Sequence, residues 1–134
     1  MKIVLDTNVF ISGIFFSGPP SQILQVWKNK KLRIILSQVI LDEYHRVAES
    51  LSSKYPTIDI FKIIELVAAH GLFVDTRKLD ITVCEDPDDN KFIECAIAGG
   101  TKIIVSGDKH LLKITGYQGI TVLKPRKFVD RYLN

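Results

Sequence analysis

Four carboxylates in this 134-residue chain are spaced so that they could act together: Asp6, Glu43, Asp89 and Asp108. Asp6 ends the apolar run Ile3-Val4-Leu5 in IVLDTN, and Asp108 follows Ile103-Ile104-Val105 in IIVSGD, so each is an acid just past a buried-looking strand. Glu43 and Asp89 are picked out by helical spacing. Between Ser37 and Leu51 the residues Ile40, Tyr44, Val47, Ala48 and Leu51 share one stripe, and Glu43, three after Ile40 and four before Val47, lies on its inward side. Asp89 stands three before Phe92 and four before Ile93, on the stripe formed by Phe92, Ile93, Ala96 and Ile97. The neighbouring acids do not pass this filter: Asp42 faces outward with Gln38, Arg46 and Glu49, Asp88 falls at the stripe's edge, and Asp86 reads as a helix cap.

Acids aimed at one place repel each other, and at neutral pH they need a cation or raised pKa values. Hard divalent ions prefer oxygen ligands, and Mg²⁺ keeps several waters that leave room for phosphate oxygens. The expected ion is therefore Mg²⁺ or Mn²⁺, and no His or Cys spacing suggests zinc. Each acid also has a purely structural explanation: a strand end for Asp6, an ion pair with Arg46 or a lysine for Glu43, a helix start for Asp89, a Gly-Asp turn for Asp108. The convergence of all four favours a shared site.

The elements that must position them follow from the apolar pattern. Short Ile/Val-rich runs at Ile3–Leu5, Leu32–Leu36, Leu72–Val74, Ile103–Val105 and Ile120–Leu123 read as buried strands. Helical patterns lie between them, over Ser21–Lys30, Ser37–Leu51, Ile58–His70 and from Asp86-Pro87 to Gly99-Gly100, with a last one opening at Pro125. Only Leu51–Thr57 resembles a long exposed turn. Buried strands alternating with helices imply a three-layer α/β fold with a mainly parallel sheet of about five strands, in one domain over 1–134. In such sheets ligands bind beyond the carboxyl ends of the strands, where Asp6 and Asp108 stand.

Composition adds bounds. With 46% hydrophobic and 25% charged residues the chain is neither disordered nor fibrous. A net charge of +3 is compatible with a polyanionic partner without requiring one. No apolar run approaches a membrane span, the N-terminus lacks a signal peptide's pattern, and Cys84 and Cys95 form no disulfide framework, which together lead us to expect a cytoplasmic protein. Cys95 reads as a core residue. His45 reads as solvated, His70 as a helix-end cation, and His110 as a weak candidate for substrate contact. Of two basic runs, Lys28 to Arg33 and Lys124 to Arg131, the residues Lys28, Lys30, Lys31, Arg126 and Lys127 are conditional phosphate contacts.

The motifs together resemble the PIN domain family: a strand ending in Asp6-Thr7-Asn8, an inward Glu43 in SQVILDEYHRV, then DPDDNKFIECAIAGG, then IVSGD at Asp108, followed by LKPRKFV. The likeness spans essentially the whole chain and is greatest to the small bacterial and archaeal branch often described as toxin components of toxin-antitoxin pairs. It implies an acidic cleft that binds Mg²⁺ or Mn²⁺ and hydrolyses phosphodiester bonds, usually of single-stranded RNA. By position, Asp6, Glu43, Asp89 and Asp108 fall on the family's four acids, with Asp6, Asp89 and Asp108 as metal ligands and Asn8 and Ser106 as polar supports. A cognate antitoxin and a homodimer are implied in the same way. One position departs: many relatives carry a further acid two residues after the last, and here it is His110.

Two other readings compete. A haloacid-dehalogenase-type phosphatase also has a strand-end Asp and a late Gly-Asp, but it needs an acid where this chain has Asn8. A non-catalytic PIN-like module binding RNA or protein, or a receiver-like domain using Asp75, is the alternative from a different class.

Overall fold

A computed structural model describes residues 1–134. Five parallel strands form one sheet in the order β3-β2-β1-β4-β5, with β1 at Lys2–Leu5, β2 at Arg33–Leu36, β3 at Leu72–Phe73, β4 at Ile103–Val105 and β5 at Thr121–Leu123. The expected fold class is the observed one. The strands are short and almost wholly apolar because helices cover both faces of the sheet: Ile3, Val4, Leu5, Ile34, Ile35, Leu36, Ile104 and Val105 are all fully buried.

The chain first builds outward from β1 to β2 and β3, then returns to place β4 on the other side of β1. The first two crossovers carry α1 (Thr7–Phe15), α2 (Pro19–Lys28), α3 (Gln38–Ser52) and α4 (Ile60–His70). After the return come α5 (Asn90–Gly99) and α6 (Lys109–Leu112), which the right-handedness of such crossovers assigns to the opposite face. A last short helix, α7 (Pro125–Phe128), continues as a π-helical turn over Val129–Leu133. The reversal of direction puts a topological switch point between β1 and β4. These two strands pair with Leu5 opposite Val105, so Asp6 and Ser106 emerge side by side at that point.

The element α1 was not expected from sequence. Its residues, TNVFISGIF, are β-branched and aromatic with a glycine in the middle, a composition that reads as strand or turn. It is helical because Val9, Phe10 and Ile11 are buried in the core, and tertiary packing overrides local propensity. Other boundaries shift by about a turn. The helix α2 starts at Pro19 rather than Ser21 and ends at Lys28, since Lys30 adopts φ 63°; α4 begins at Ile60, capped by the Asp59 side chain, rather than at Ile58.

One pair of glycines is required by geometry. Gly100 caps α5 in the left-handed region at φ 69°, and a Cβ on Gly99 would come within 2.6 Å of the Ile35 side chain. Without a side chain at Gly99, α5 lies close on β2, and its amino end is thereby held over the rim that carries Asp6. Of the stripe predicted for it, Phe92, Ile93 and Ala96 are at most 1% exposed, while Ile97 is only partly buried and Cys95 lies in the core beside them.

Candidate active site

Asp6 leaves β1 with its backbone N–H bonded to the carbonyl of Val105, and the residue is 6% exposed. Ser106, fully buried one residue beyond β4, donates from Oγ to Asp6 Oδ2 at 2.5 Å and accepts the Asp108 N–H at 2.9 Å. One hydroxyl thus ties the two strand-end acids together. Asp108 caps α6 by accepting the His110 N–H at 2.8 Å. Burial raises the pKa of Asp6; the Ser106 hydrogen bond opposes that, and the charge of Asp108 adds to it.

Asn8, expected as a polar support, contributes differently. Its side chain is exposed, and it is the backbone amides of Asn8 and Thr7 that favour the Asp6 charge, without making a capping hydrogen bond to its side chain.

Asp89 arrives from the opposite side of the rim. The side chain of Asp86 accepts the Asp88 N–H at 3.0 Å and so caps a single 3₁₀ turn, Pro87–Asp89, not the α-helix it was expected to cap. Asp89 closes that turn and is 7% exposed. Its Oδ2 is the one fully buried side-chain N or O atom in the chain without a hydrogen-bond partner. Burial, then the charges of Asp108, Asp86, Asp6 and Asp88, push its pKa up to about 6. Asp6, Asp89 and Asp108 therefore feel one another's charge at a common rim. They are not packed tightly: no three Asp, Glu, His or Cys side chains are gathered closely enough to enclose a metal ion by themselves.

Glu43 does lie inward, as its spacing predicts, but it is already paired. Oε1 lies 2.7 Å from Lys91 Nζ, and Oε2 accepts a hydrogen bond from the Thr7 hydroxyl. Lys91 also reaches Asp88 Oδ2 at 2.9 Å and the Asp88 carbonyl at 2.9 Å. Burial disfavours the Lys91 charge, but these acids outweigh it and its pKa is raised, while the Lys91 hydrogen bond lowers that of Asp88. Arg46 Nη2 is more remote, 3.8 Å from Glu43, and largely exposed. Next to Glu43, the buried Tyr44 stacks on Phe10 with centroids 4.3 Å apart and donates from its hydroxyl to the Leu5 carbonyl at 2.5 Å. This bond fixes α3 to the end of β1, one residue before Asp6.

Lys91, Thr7 and the Tyr44 anchor are the site residues that sequence reasoning missed. Lys91 carried a readable signal: it is three after Asp88 on a helix and adjacent to the buried Phe92, the placement of a charge that needs a partner. His110, in the position where an acid is missing, is bonded through Nδ1 to Glu85 at 3.0 Å, so a carboxylate from another loop stands beside it.

The expected basic patch divides. Arg126 and Lys127 are exposed on α7, which starts at the carboxyl end of β5 and so at the end of the sheet that carries the acids. Lys28, Lys30 and Lys31 lie at the other end, around the turn that leads into β2, and cannot hold the same phosphates. Asp75, the residue a receiver-like reading would use, is exposed and bidentate to Arg77, at 2.8 and 2.9 Å. Cys95 is core, as expected, and Cys84 donates its backbone N–H to Asn90 Oδ1 at 3.0 Å.

Residues 2–110 match the sequence pattern of the PIN domain. The chain belongs to the PIN domain family. This PIN domain is 31% identical to the uncharacterised protein MJ1680 of Methanocaldococcus jannaschii, over 98% of this chain and 92% of that protein. In three dimensions it is similar to a chain of VapBC2 from Rickettsia felis, solved bound to a DNA fragment from its promoter, with a TM-score of 0.61 and 15% identity over 92% of this chain and 98% of that one. It is also similar to a chain of FitAcB from Neisseria gonorrhoeae, with a TM-score of 0.54, 15% identity and the same coverage. At that identity the two likenesses concern the fold. No helix of the PIN domain is long and apolar enough to cross a membrane.

Proposed function

We propose that this PIN domain is a Mg²⁺- or Mn²⁺-dependent endoribonuclease that hydrolyses phosphodiester bonds in single-stranded RNA. The observation that carries the reading is Asp89 Oδ2, a buried carboxylate oxygen with no partner, at a rim it shares with Asp6 and Asp108. An unpaired buried carboxylate is costly, and a cation is the partner that removes the cost. The donor set is all oxygen, which suits a hard ion that keeps several of its own waters.

Asp6, Asp89 and Asp108 would hold the ion, which supplies charge neutralisation of the phosphate and a lowered pKa for a bound water. Ser106 orients the Asp6 carboxylate, and its hydrogen bond opposes the burial that raises the Asp6 pKa. Glu43 acts through position: with Lys91 and Thr7 it braces α3 against the start of α5 and α1, so that Asp89 and Asp6 face one another. Arg126 and Lys127 hold the RNA backbone beside the rim, which makes binding weaken as salt rises. We further propose a homodimeric assembly and a cognate antitoxin, the antitoxin being supported by the fold shared with chains of VapBC2 and FitAcB.

The test is cleavage of single-stranded RNA with Mg²⁺ or Mn²⁺, with EDTA, and with Asp6→Asn and Asp89→Asn proteins shown by circular dichroism to be folded. Activity is expected to need the metal and to be lost in both variants. Undiminished cleavage in either variant overturns the assignment, and absence of cleavage by the unaltered protein with either metal favours a binding module. The antitoxin reading predicts that expression of the chain alone arrests growth of a bacterial host and that Asp6→Asn relieves the arrest.

A further inference from the structure

At the end of the sheet away from Asp6, the last turns of α2 and α4 and the start of β2 border a cavity of about 390 Å³. Its charged lining is entirely basic: Lys28, Lys30, Arg33 and His70. None of the four makes an ion pair, and no carboxylate lines the cavity. Lys28 and His70 stand in the last turns of their helices, where the helix dipole favours cations. Lys30 and Arg33 lie outside any helix, so the dipole does not account for them.

The rest of the lining is Trp27, Leu32 and Leu66. Trp27 is 6% exposed, and its indole N–H has no acceptor within the protein. Asp89 Oδ2 alone is both fully buried and unpartnered, so this N–H keeps some exposure, and Trp27 lines the cavity. A nearly buried indole, two leucines and a rim of three lysine and arginine side chains without ion-pair partners together specify a ligand. It must carry negative charge, have an apolar or aromatic body and offer a hydrogen-bond acceptor.

A nucleoside phosphate meets all three requirements: the phosphate for Lys30 and Arg33, the base for the leucines and for the indole edge, and ring or carbonyl acceptors for its N–H. The volume is within the range of small-molecule sites. We propose that this cavity binds a phosphorylated nucleotide, free or as the phosphate-bearing end of an RNA strand. Arg33 pairs with Lys2 at the start of β1, and Asp6 follows its end. Four residues of strand span about 13 Å, so a nucleotide seated here does not reach the acids.

Trp27 is the only tryptophan in the chain, so its fluorescence reports this cavity alone. The intact protein in EDTA is titrated with adenosine 5′-monophosphate, adenosine, inorganic phosphate, an acidic peptide, and a short RNA with and without a 5′-phosphate. A saturable change is expected with the monophosphate or the 5′-phosphorylated RNA, at least tenfold tighter than with adenosine or phosphate. Binding is expected to weaken at least tenfold in Lys30→Gln/Arg33→Gln, a pair of exposed residues whose replacement leaves the fold intact. A response to RNA alone places the nucleotide on a strand end, and a response to the monophosphate assigns a free ligand. No saturable response to either, an equal response to inorganic phosphate, tighter binding of the acidic peptide, or unchanged affinity in the double variant overturns the proposal.

Discussion

Lys91 Nζ lies 2.7 Å from Glu43 Oε1, with the two side chains 9% and 13% exposed, and this pair joins α3 to α5 across the rim of the sheet. Breaking a buried pair from one side leaves a charge without a partner. Lys91→Met is therefore expected to cost roughly 3 kcal/mol of folding stability. Adding Glu43→Gln should restore part of that loss, so the double variant unfolds in urea at a higher midpoint than Lys91→Met alone. Strictly additive losses would mean that the pair does not act as a unit.

Asp89 has a pKa near 6 in the fold and an ordinary one near 3.8 in an unfolded chain. A raised pKa means that the folded state holds the proton more tightly. The associated stability is present below about pH 4 and is lost as pH rises through 6. At pH 7 without metal, Asp89→Asn is expected to stabilise the fold by roughly 2–3 kcal/mol, the upper figure being reduced by solvent screening, and it should also abolish cleavage. Thermal unfolding at pH 4.5 and 7 checks the sign: the benefit of the substitution shrinks at the lower pH.

Ser106 lowers the Asp6 pKa against the burial that raises it. Ser106→Ala removes that hydrogen bond and frees the Asp108 backbone N–H. The acid limb of the pH–rate profile should move to higher pH, and the rate at neutral pH should fall. A slower enzyme with an unshifted acid limb would assign Ser106 to packing alone.

Tyr44→Phe keeps the ring stacked on Phe10 but removes the donor to the Leu5 carbonyl. The expected loss is roughly 1–2 kcal/mol, measured by chemical denaturation. A loss much smaller than that would mean that stacking, not the hydrogen bond, holds α3 to β1.

Much of this molecule could be read along the chain. The five apolar runs became the five strands because a strand buried on both faces has no polar positions to confuse the pattern. The inward placement of Glu43 and Asp89 followed from a repeat of 3.6 residues, which is local geometry. By contrast, α1 was hidden because its β-branched and aromatic residues favour helix only when a core is there to bury them. The Pro87–Asp89 turn merges with α5 in the sequence pattern, since a cap residue followed by proline opens a 3₁₀ turn as readily as an α-helix.

Which acids could share a rim was legible along the chain, because chemistry and periodicity are both properties of neighbouring residues. What each acid does there depends on the three-dimensional packing. It brings Lys91 and Thr7 onto Glu43 from helices 48 and 36 residues away, ties Asp6 to Ser106 across 100 residues, and leaves Asp89 without a partner. Ion pairs and hydrogen bonds act over a few ångströms of space. Residues that far apart in sequence meet only because β1 and β4 are neighbours at the switch point and α3 and α5 meet above it.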